Sequence, residues 1–461
     1  MDVARILDTL KTEFIPAVGC TEPVAIALAC AVAYNAIGGD LHELHLELSP
    51  NMFKNARAVG IPGIQHAGID TAALLGVVLD NPRAGLEVFS AVSPRHVSLV
   101  QALKKRCTPR IEVKDDTPSV YVRARVVTDR GTAAAATVHR HTDARLVEVN
   151  GHAVDTWPSG GTRQEPCSFS HAQSHSPALR TLGSLPEIAS AILSAPASDL
   201  DFLCERAEVN LDMAEAGLTM DGGLGIGRIG AAGLRGCACD AGREQTAGSG
   251  VNVGWDLALY AAAACDARMA GVQKPVVTCA GSGNLGISAT VPVLLGARRA
   301  SATREKLARA LALSLATTIY VKEYFGRLSP VCGCAVAAGA GTAAGLVHLW
   351  GGWAGQSMGA VTNVLATLAG MLCDGGKVGC ALKVWTSVTT ASQAALLALA
   401  GCEVPEGNGI VGAHLDETLS NLARVTSEGM RTADRVMVGI LAGGPDGRLE
   451  PEENEAGPAT A

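Results

Sequence analysis

Along most of the chain apolar residues recur at helical spacing, and in one region near the N-terminus they alternate with polar ones. The alternation is clearest in Leu41-His42-Glu43-Leu44-His45-Leu46-Glu47-Leu48, where a period of two predicts a half-buried strand. Further strand-like runs cover 109–113, 119–127, 133–140 and 145–149, the last ending at Asn150-Gly151, a tight-turn pair. Helical patterns at 71–79 and 97–104 are interleaved with them, so residues 40–152 read as a small α+β domain. Ahead of it, residues 1–39 carry two helical stretches expected to pack on the main body. From Pro186 onward helical periodicity dominates, at 187–193, 198–215, 254–269, 304–318, 339–348, 359–371, 382–399 and 415–428. The predicted fold class is therefore α+β: a large Ala/Gly-rich all-helical body over 186–442, with a smaller α/β unit inserted after the N-terminal helices. Residues 153–185 are polar and aperiodic and read as a linker or mobile loop, and 443–461, rich in Gly, Pro and Glu, as a disordered tail.

Composition sharpens this picture. Hydrophobic residues make up 48% of the 461, yet aromatics only 3%, and there are 53 glycines, so the core bulk must come from Ala, Leu and Val in closely packed helices. The most apolar stretches, 24–36, 331–350 and 394–401, are short or diluted by Gly and Ala. A spanning helix needs about 20 strongly apolar residues, so they read as buried helices with no membrane role. A net charge of −7 without a dense basic tract argues against a nucleic-acid surface. Small molecules are the expected partners, and the Ala/Gly-rich helices can also pack across a homodimer interface. The 14 cysteines are scattered and no signal-peptide core is seen, which points to a reducing cytoplasm.

The candidate chemistry lies in the cysteines and glycines. Cys373-Asp374-Gly375-Gly376-Lys377-Val378-Gly379-Cys380 sets two thiols around a glycine-rich turn whose amides can approach sulfur closely. Cys332-Gly333-Cys334 supplies two more candidates. Three thiolates from two loops can mount an iron–sulfur cluster with one iron left open, although buried cysteine is also an ordinary small hydrophobe. Cys20 precedes Thr21-Glu22-Pro23 at a predicted helix start, where the helix dipole favours thiolate. Asn51, Lys54 and Asn55 follow the first strand and can bind a carboxylate, as can the amides of Gly281-Ser282-Gly283-Asn284 before a helix predicted to begin near Ile287. Gly225 to Gly230 matches a G-x-G-x-x-G spacing, but no strand precedes it, so a nucleotide site is not expected. His42, His45 and His66 read as surface or satisfied residues, and His171 and His175, without acidic or thiol neighbours, are not expected to be ligands.

Seven of these segments, taken in order, resemble the L-cysteine desulfidase family, which is related to the α chain of iron–sulfur L-serine dehydratases. They are Gly19-Cys20-Thr21-Glu22-Pro23, Ser49-Pro50-Asn51-Met52-Phe53-Lys54-Asn55, Asp266-Ala267-Arg268-Met269, Gly281-Ser282-Gly283-Asn284, Gly326-Arg327-Leu328-Ser329, Cys332-Gly333-Cys334-Ala335 and Cys373-Asp374-Gly375-Gly376-Lys377. The resemblance implies a [4Fe-4S] cluster held by Cys334, Cys373 and Cys380, with Cys332 the nearest competitor. It implies an amino-acid substrate undergoing α,β-elimination: L-cysteine to pyruvate, ammonia and hydrogen sulfide, without pyridoxal phosphate. L-serine or another β-substituted amino acid is the alternative substrate, and a cluster-free scaffold or sensor the alternative role. Cys20 as thiolate is the expected base, with Glu22 orienting it. Thr21, Asn51, Lys54, Asn55, Ser282, Gly283, Asn284 and Lys377 are the expected substrate contacts, and Lys377 can instead offset thiolate charge. Leu285 and Cys279 depart from the residues usual in the family, Gln and a polar residue such as Asn, which bears on substrate preference.

Overall fold

The computed structural model describes residues 2–64, 66–156, 178–236 and 253–443. The stretch 157–177, with His171 and His175, and the tail from 444 lie outside the described residues.

The alternating segment forms β2 (Leu41–Leu48), near one edge of a six-stranded sheet ordered β3-β2-β4-β5-β6-β7. Its partners are β3 (Arg110–Val113), β4 (Tyr121–Thr128), β5 (Gly131–Val138), β6 (Ala144–Val149) and β7 (His152–Thr156). Only the β2–β3 pair is parallel. Asn150 and Gly151 turn β6 into β7 with positive φ at both positions, as the dipeptide predicts. The strand β7 itself was not anticipated, and it takes up residues assigned to the linker.

One correction concerns the N-terminal helices. Helix α1 (Val3–Glu13) does pack on the helical body through Ile6, Leu10 and Phe14. Helix α2 (Thr21–Ile37) does not: Val24, Ile26 and Leu28 share a core with Leu44, Leu46, Leu48 and Val122 of the sheet. Every residue from Thr21 to Ala33 is buried, because the sheet covers one side of α2 and helix α4 (Ile69–Leu79) another. Gly76 makes the second contact possible, since a Cβ there would sit 2.2 Å from the Ala27 carbonyl oxygen. A helix apolar all round needs two partners, and the sheet unit supplies both.

The body is built from α7 (Asp201–Thr219), α9 (Val253–Ala270), α10 (Gly283–Arg299), α11 (Arg304–Phe325), α12 (Gly333–Leu349), α13 (Ala354–Leu368) and α14 (Cys380–Leu399), flanked by α6 (Leu185–Ser194), α8 (Ile226–Gly236) and α15 (Leu415–Arg424). The scarcity of aromatics is met by close helix approach: a Cβ on Gly341 of α12 would fall 2.3 Å from the Ser314 carbonyl oxygen of α11. A short antiparallel pair, β1 (Pro16–Val18) with β8 (Pro275–Val277), ties the N-terminal arm to the body. Buried Asn210 secures it, accepting from Val277 N at 2.7 Å and donating to Val277 O at 3.1 Å. Among the described residues no helix is long and apolar enough to cross a membrane.

Two further short helices matter for the site. The segment expected as a substrate loop is α3 (Pro50–Ala56), capped by the Ser49 hydroxyl. Helix α16 (Ala433–Ala442), absent from the sequence reading, returns from the body to α3, placing Val438 in the sheet core.

Candidate functional site

The two thiol-bearing loops are stitched together by backbone. Cys332, at the N-cap of α12, donates its N–H to Met371 O at 2.9 Å, and Cys373 N donates to Pro330 O at 2.6 Å, around an isolated Val331–Leu372 bridge. The glycine-rich turn before α14 then lies flat on the end of α3. A Cβ on Gly375, whose φ is +99°, would be 2.2 Å from Lys54 O, and one on Gly376 would be 2.5 Å from Asn55 O. Only glycine permits that approach. Cys373 Sγ faces Asn55 Oδ1 at 3.7 Å and Cys380 Sγ donates to Gly375 O at 3.4 Å. Cys332, Cys334, Cys373 and Cys380 thereby line one pocket at the seam between the two cores. The Cys334 thiol hydrogen-bonds to Cys332, which lowers the pKa of Cys332 and raises that of Cys334. Burial raises Cys373, and pushes Cys380 up to about 11.

The same pocket is lined by the Cys20–Glu22 pair. Cys20 caps α2, but its thiol donates to Glu22 Oε2 at 2.9 Å, and Thr21 Oγ1 donates to the same oxygen at 3.3 Å. Burial, and next the negative charge of Glu22, push the Cys20 pKa well up, with Arg268 only partly opposing. The expected dipole-stabilised thiolate is therefore corrected: in this environment Cys20 is a thiol, because desolvation and a neighbouring carboxylate outweigh the helix end.

The cations around the pocket are mostly committed. Arg268 donates to Asn284 Oδ1 at 2.9 Å and Gly19 O at 2.8 Å, and fills the space a side chain on Gly283 would need. Arg327 pairs with Glu13 at 2.6 Å. Asp374 holds both Lys377, at 2.5 Å, and Lys383, which together depress its carboxyl to about 2 against the effect of burial. Lys54 is wholly buried against Asp434 of α16 and donates to Ser329 O at 3.2 Å. Lys322 differs: buried on α11 with its ammonium 4.6 Å from the Phe325 ring centre, it is drawn down to about 8 by burial while the thiols of Cys373, Cys334 and Cys332 oppose the shift.

Of the residues named from sequence, Cys20, Glu22, Asn55, Ser282, Asn284, Cys334, Cys373 and Cys380 line the common pocket. Thr21, Asn51, Lys54, Gly283 and Lys377 do not. Lys54 and Lys377 are held in ion pairs, Thr21 serves Glu22, Gly283 makes room for Arg268, and the buried Asn51 Oδ1 has no hydrogen-bond partner among the described residues. Sequence reasoning missed Arg268, Lys322, Arg327 and His141. Arg268 and Arg327 sit inside two of the recurring segments quoted above, which was the available signal. His141 comes from the β5–β6 turn of the sheet unit, buried with Nε2 4.0 Å from Glu22 Oε1, and nothing in its local sequence marks it.

Among the described residues no three His, Cys, Asp or Glu side chains converge as ligands of a single metal ion. The pocket's donor set is thiols without histidine, in two glycine-bearing loops with a buried cation beside them, and this fits a sulfur-ligated cluster better than an isolated ion.

The sequence comparisons point to a serine dehydratase-like, lyase-type protein. The chain belongs to the serine dehydratase alpha chain family, whose model matches residues 120–439. That family is typically associated with iron–sulfur clusters. Similar chains include a UPF0597 protein of Clostridioides difficile (strain 630), 34% identical over 94% of this chain and 98% of that one. Another is a UPF0597 protein of Desulfatibacillum aliphaticivorans, 36% identical over 95% and 97%.

Proposed function

We propose that the protein is a cytoplasmic [4Fe-4S]-dependent L-cysteine desulfidase, eliminating sulfide from L-cysteine to leave pyruvate and ammonia. The observation that carries the reading is one pocket lined both by four thiols and by the hydrogen-bonded Cys20–Glu22 thiol–carboxylate pair. Cys334, Cys373 and Cys380 are the assigned ligands, with Cys332 beside them. When bound, the cluster supplies a Lewis-acidic iron that makes the β-substituent a better leaving group.

The chain's own residues supply the rest. Glu22 Oε2 takes the Cys20 proton, breaking S–H and forming O–H, and the thiolate so formed takes the Cα proton of the substrate, breaking C–H and forming S–H. Ser282 and Asn284, at the start of α10, offer donors to the substrate carboxylate, and Asn284 is itself fixed by Arg268. Lys322 places a positive charge beside the thiols, offsetting theirs. Dehydration of L-serine is the rival reaction, favoured by the family's description. The two are separated by assaying anaerobically reconstituted protein for sulfide from L-cysteine and pyruvate from L-serine. Pyruvate from serine alone would reverse the assignment.

A further inference from the structure

The β5–β6 turn brings a buried imidazole up to the Cys20–Glu22 pair, and its contact there is incomplete. His141 is 6% exposed, and its Nε2 has no hydrogen-bond partner among the described residues. A buried polar nitrogen left unmatched is costly, so its placement calls for a reason. Its nearest acidic group is Glu22 Oε1 at 4.0 Å, and a shift of about 1 Å brings the two within hydrogen-bond reach. Glu22 Oε2 is already occupied by the Cys20 thiol, and Oε1 faces the imidazole. The other side of the ring is closed by Gly281, where a Cβ would stand 3.8 Å from His141 Nδ1 and 2.5 Å from an Arg327 nitrogen. The charged groups acting on the ring from neighbouring elements are Glu22 on α2 and Arg327, itself neutralised by Glu13 of α1. Burial and Arg327 favour the neutral imidazole, which Glu22 opposes.

We propose that His141 is a positioning residue for the Cys20–Glu22 pair, its Nε2–H donating to Glu22 Oε1 and so holding Oε2 on the Cys20 thiol. This deepens the lyase reading and rests on its choice of acid–base pair. It also gives the inserted sheet a task in the chemistry, since the β5–β6 turn is what carries the imidazole to Glu22.

The Glu22 carboxylate held beside Cys20 is one of the causes that raise that thiol's pKa. Without the His141 donor the carboxylate is free to turn away and no longer repels a Cys20 thiolate. The test uses the full chain free of iron, following alkylation of Cys20 by iodoacetamide with peptide mass spectrometry across roughly pH 5 to 9. H141M is expected to speed Cys20 alkylation about tenfold in part of that range, while H141Q, which keeps a donor, stays near wild type. E22Q should reproduce the gain, and H141M/E22Q should add nothing to it, as for two residues acting through one group. An H141M profile equal to wild type, or gains that multiply in the double variant, overturns the assignment. Should H141M fail to fold, the His141 titration followed by NMR decides: E22Q is expected to lower its midpoint, and an unchanged midpoint overturns it. Turnover is not the readout. A His141-dependent Cys20 in a protein that releases no sulfide would remove the desulfidase reading and leave this inference standing.

Discussion

Replacing Lys322 with methionine tests the electrostatics of the pocket at its most constrained point. Lys322 is 3% exposed, and burial lowers its pKa from the ordinary 10.5 to about 8. That drop is the extra cost of holding the ammonium ionised in the folded chain, about 3 kcal/mol. Below pH 8 both folded and unfolded chains carry the charge, so the whole cost is present. Between about 8 and 10.5 the folded chain sheds the proton before the unfolded one does, and stability rises with pH. Lys322→Met in iron-free protein is therefore expected to be more stable than wild type by about 3 kcal/mol at pH 7, with the gap closing as pH passes from about 8 towards 10.5. Urea unfolding of both proteins at a series of pH values reads this directly. A variant less stable than wild type at pH 7, or a gap independent of pH, would refute the reasoning and mean that the ammonium is satisfied where it stands.

Cys20→Ser should keep its iron and lose turnover, whereas parallel loss of iron would make Cys20 a ligand. Cys334→Ala should prevent cluster assembly while Cys332→Ala retains it, judged by visible absorption and iron content after anaerobic reconstitution. The opposite result exchanges the two ligands. Asp434→Asn strands a buried Lys54 and should destabilise the chain by about 3–5 kcal/mol, seen as a lower urea midpoint. An unchanged midpoint would show that α16 does not depend on that pair.

The helical body was legible because its signal is local. The 3.6-residue recurrence survives in α6 and α15, and the alternation in β2 marks a sheet face. What escaped was decided by long-range packing. Helix α2 is apolar on every side, so its pattern names no partner, and the structure assigns it to the sheet. Ser49-Pro50 was open to reading as a loop and is instead a hydroxyl cap followed by proline in the first turn of α3. Within the site, the thiols and Cys20 stood out by residue type and glycine spacing. The state of Cys20 did not, because it depends on how deeply Cys20 is itself buried and next on the charge of Glu22 beside it. Lys54 illustrates the same limit: as a cation in a recurring segment it suggests a ligand, yet its partner is Asp434, 380 positions away.

The central claim is that sulfurs from two loops hold a cluster beside an amino acid ready for elimination. Anaerobic purification with iron and sulfide analysis, followed by an assay for sulfide from L-cysteine against pyruvate from L-serine, tests it most directly. The account predicts a brown protein containing iron and inorganic sulfide in equal amounts that releases sulfide from L-cysteine and loses both colour and activity in Cys373→Ala and Cys380→Ala. A colourless protein that takes up no iron under reconstitution, with or without activity, would contradict it.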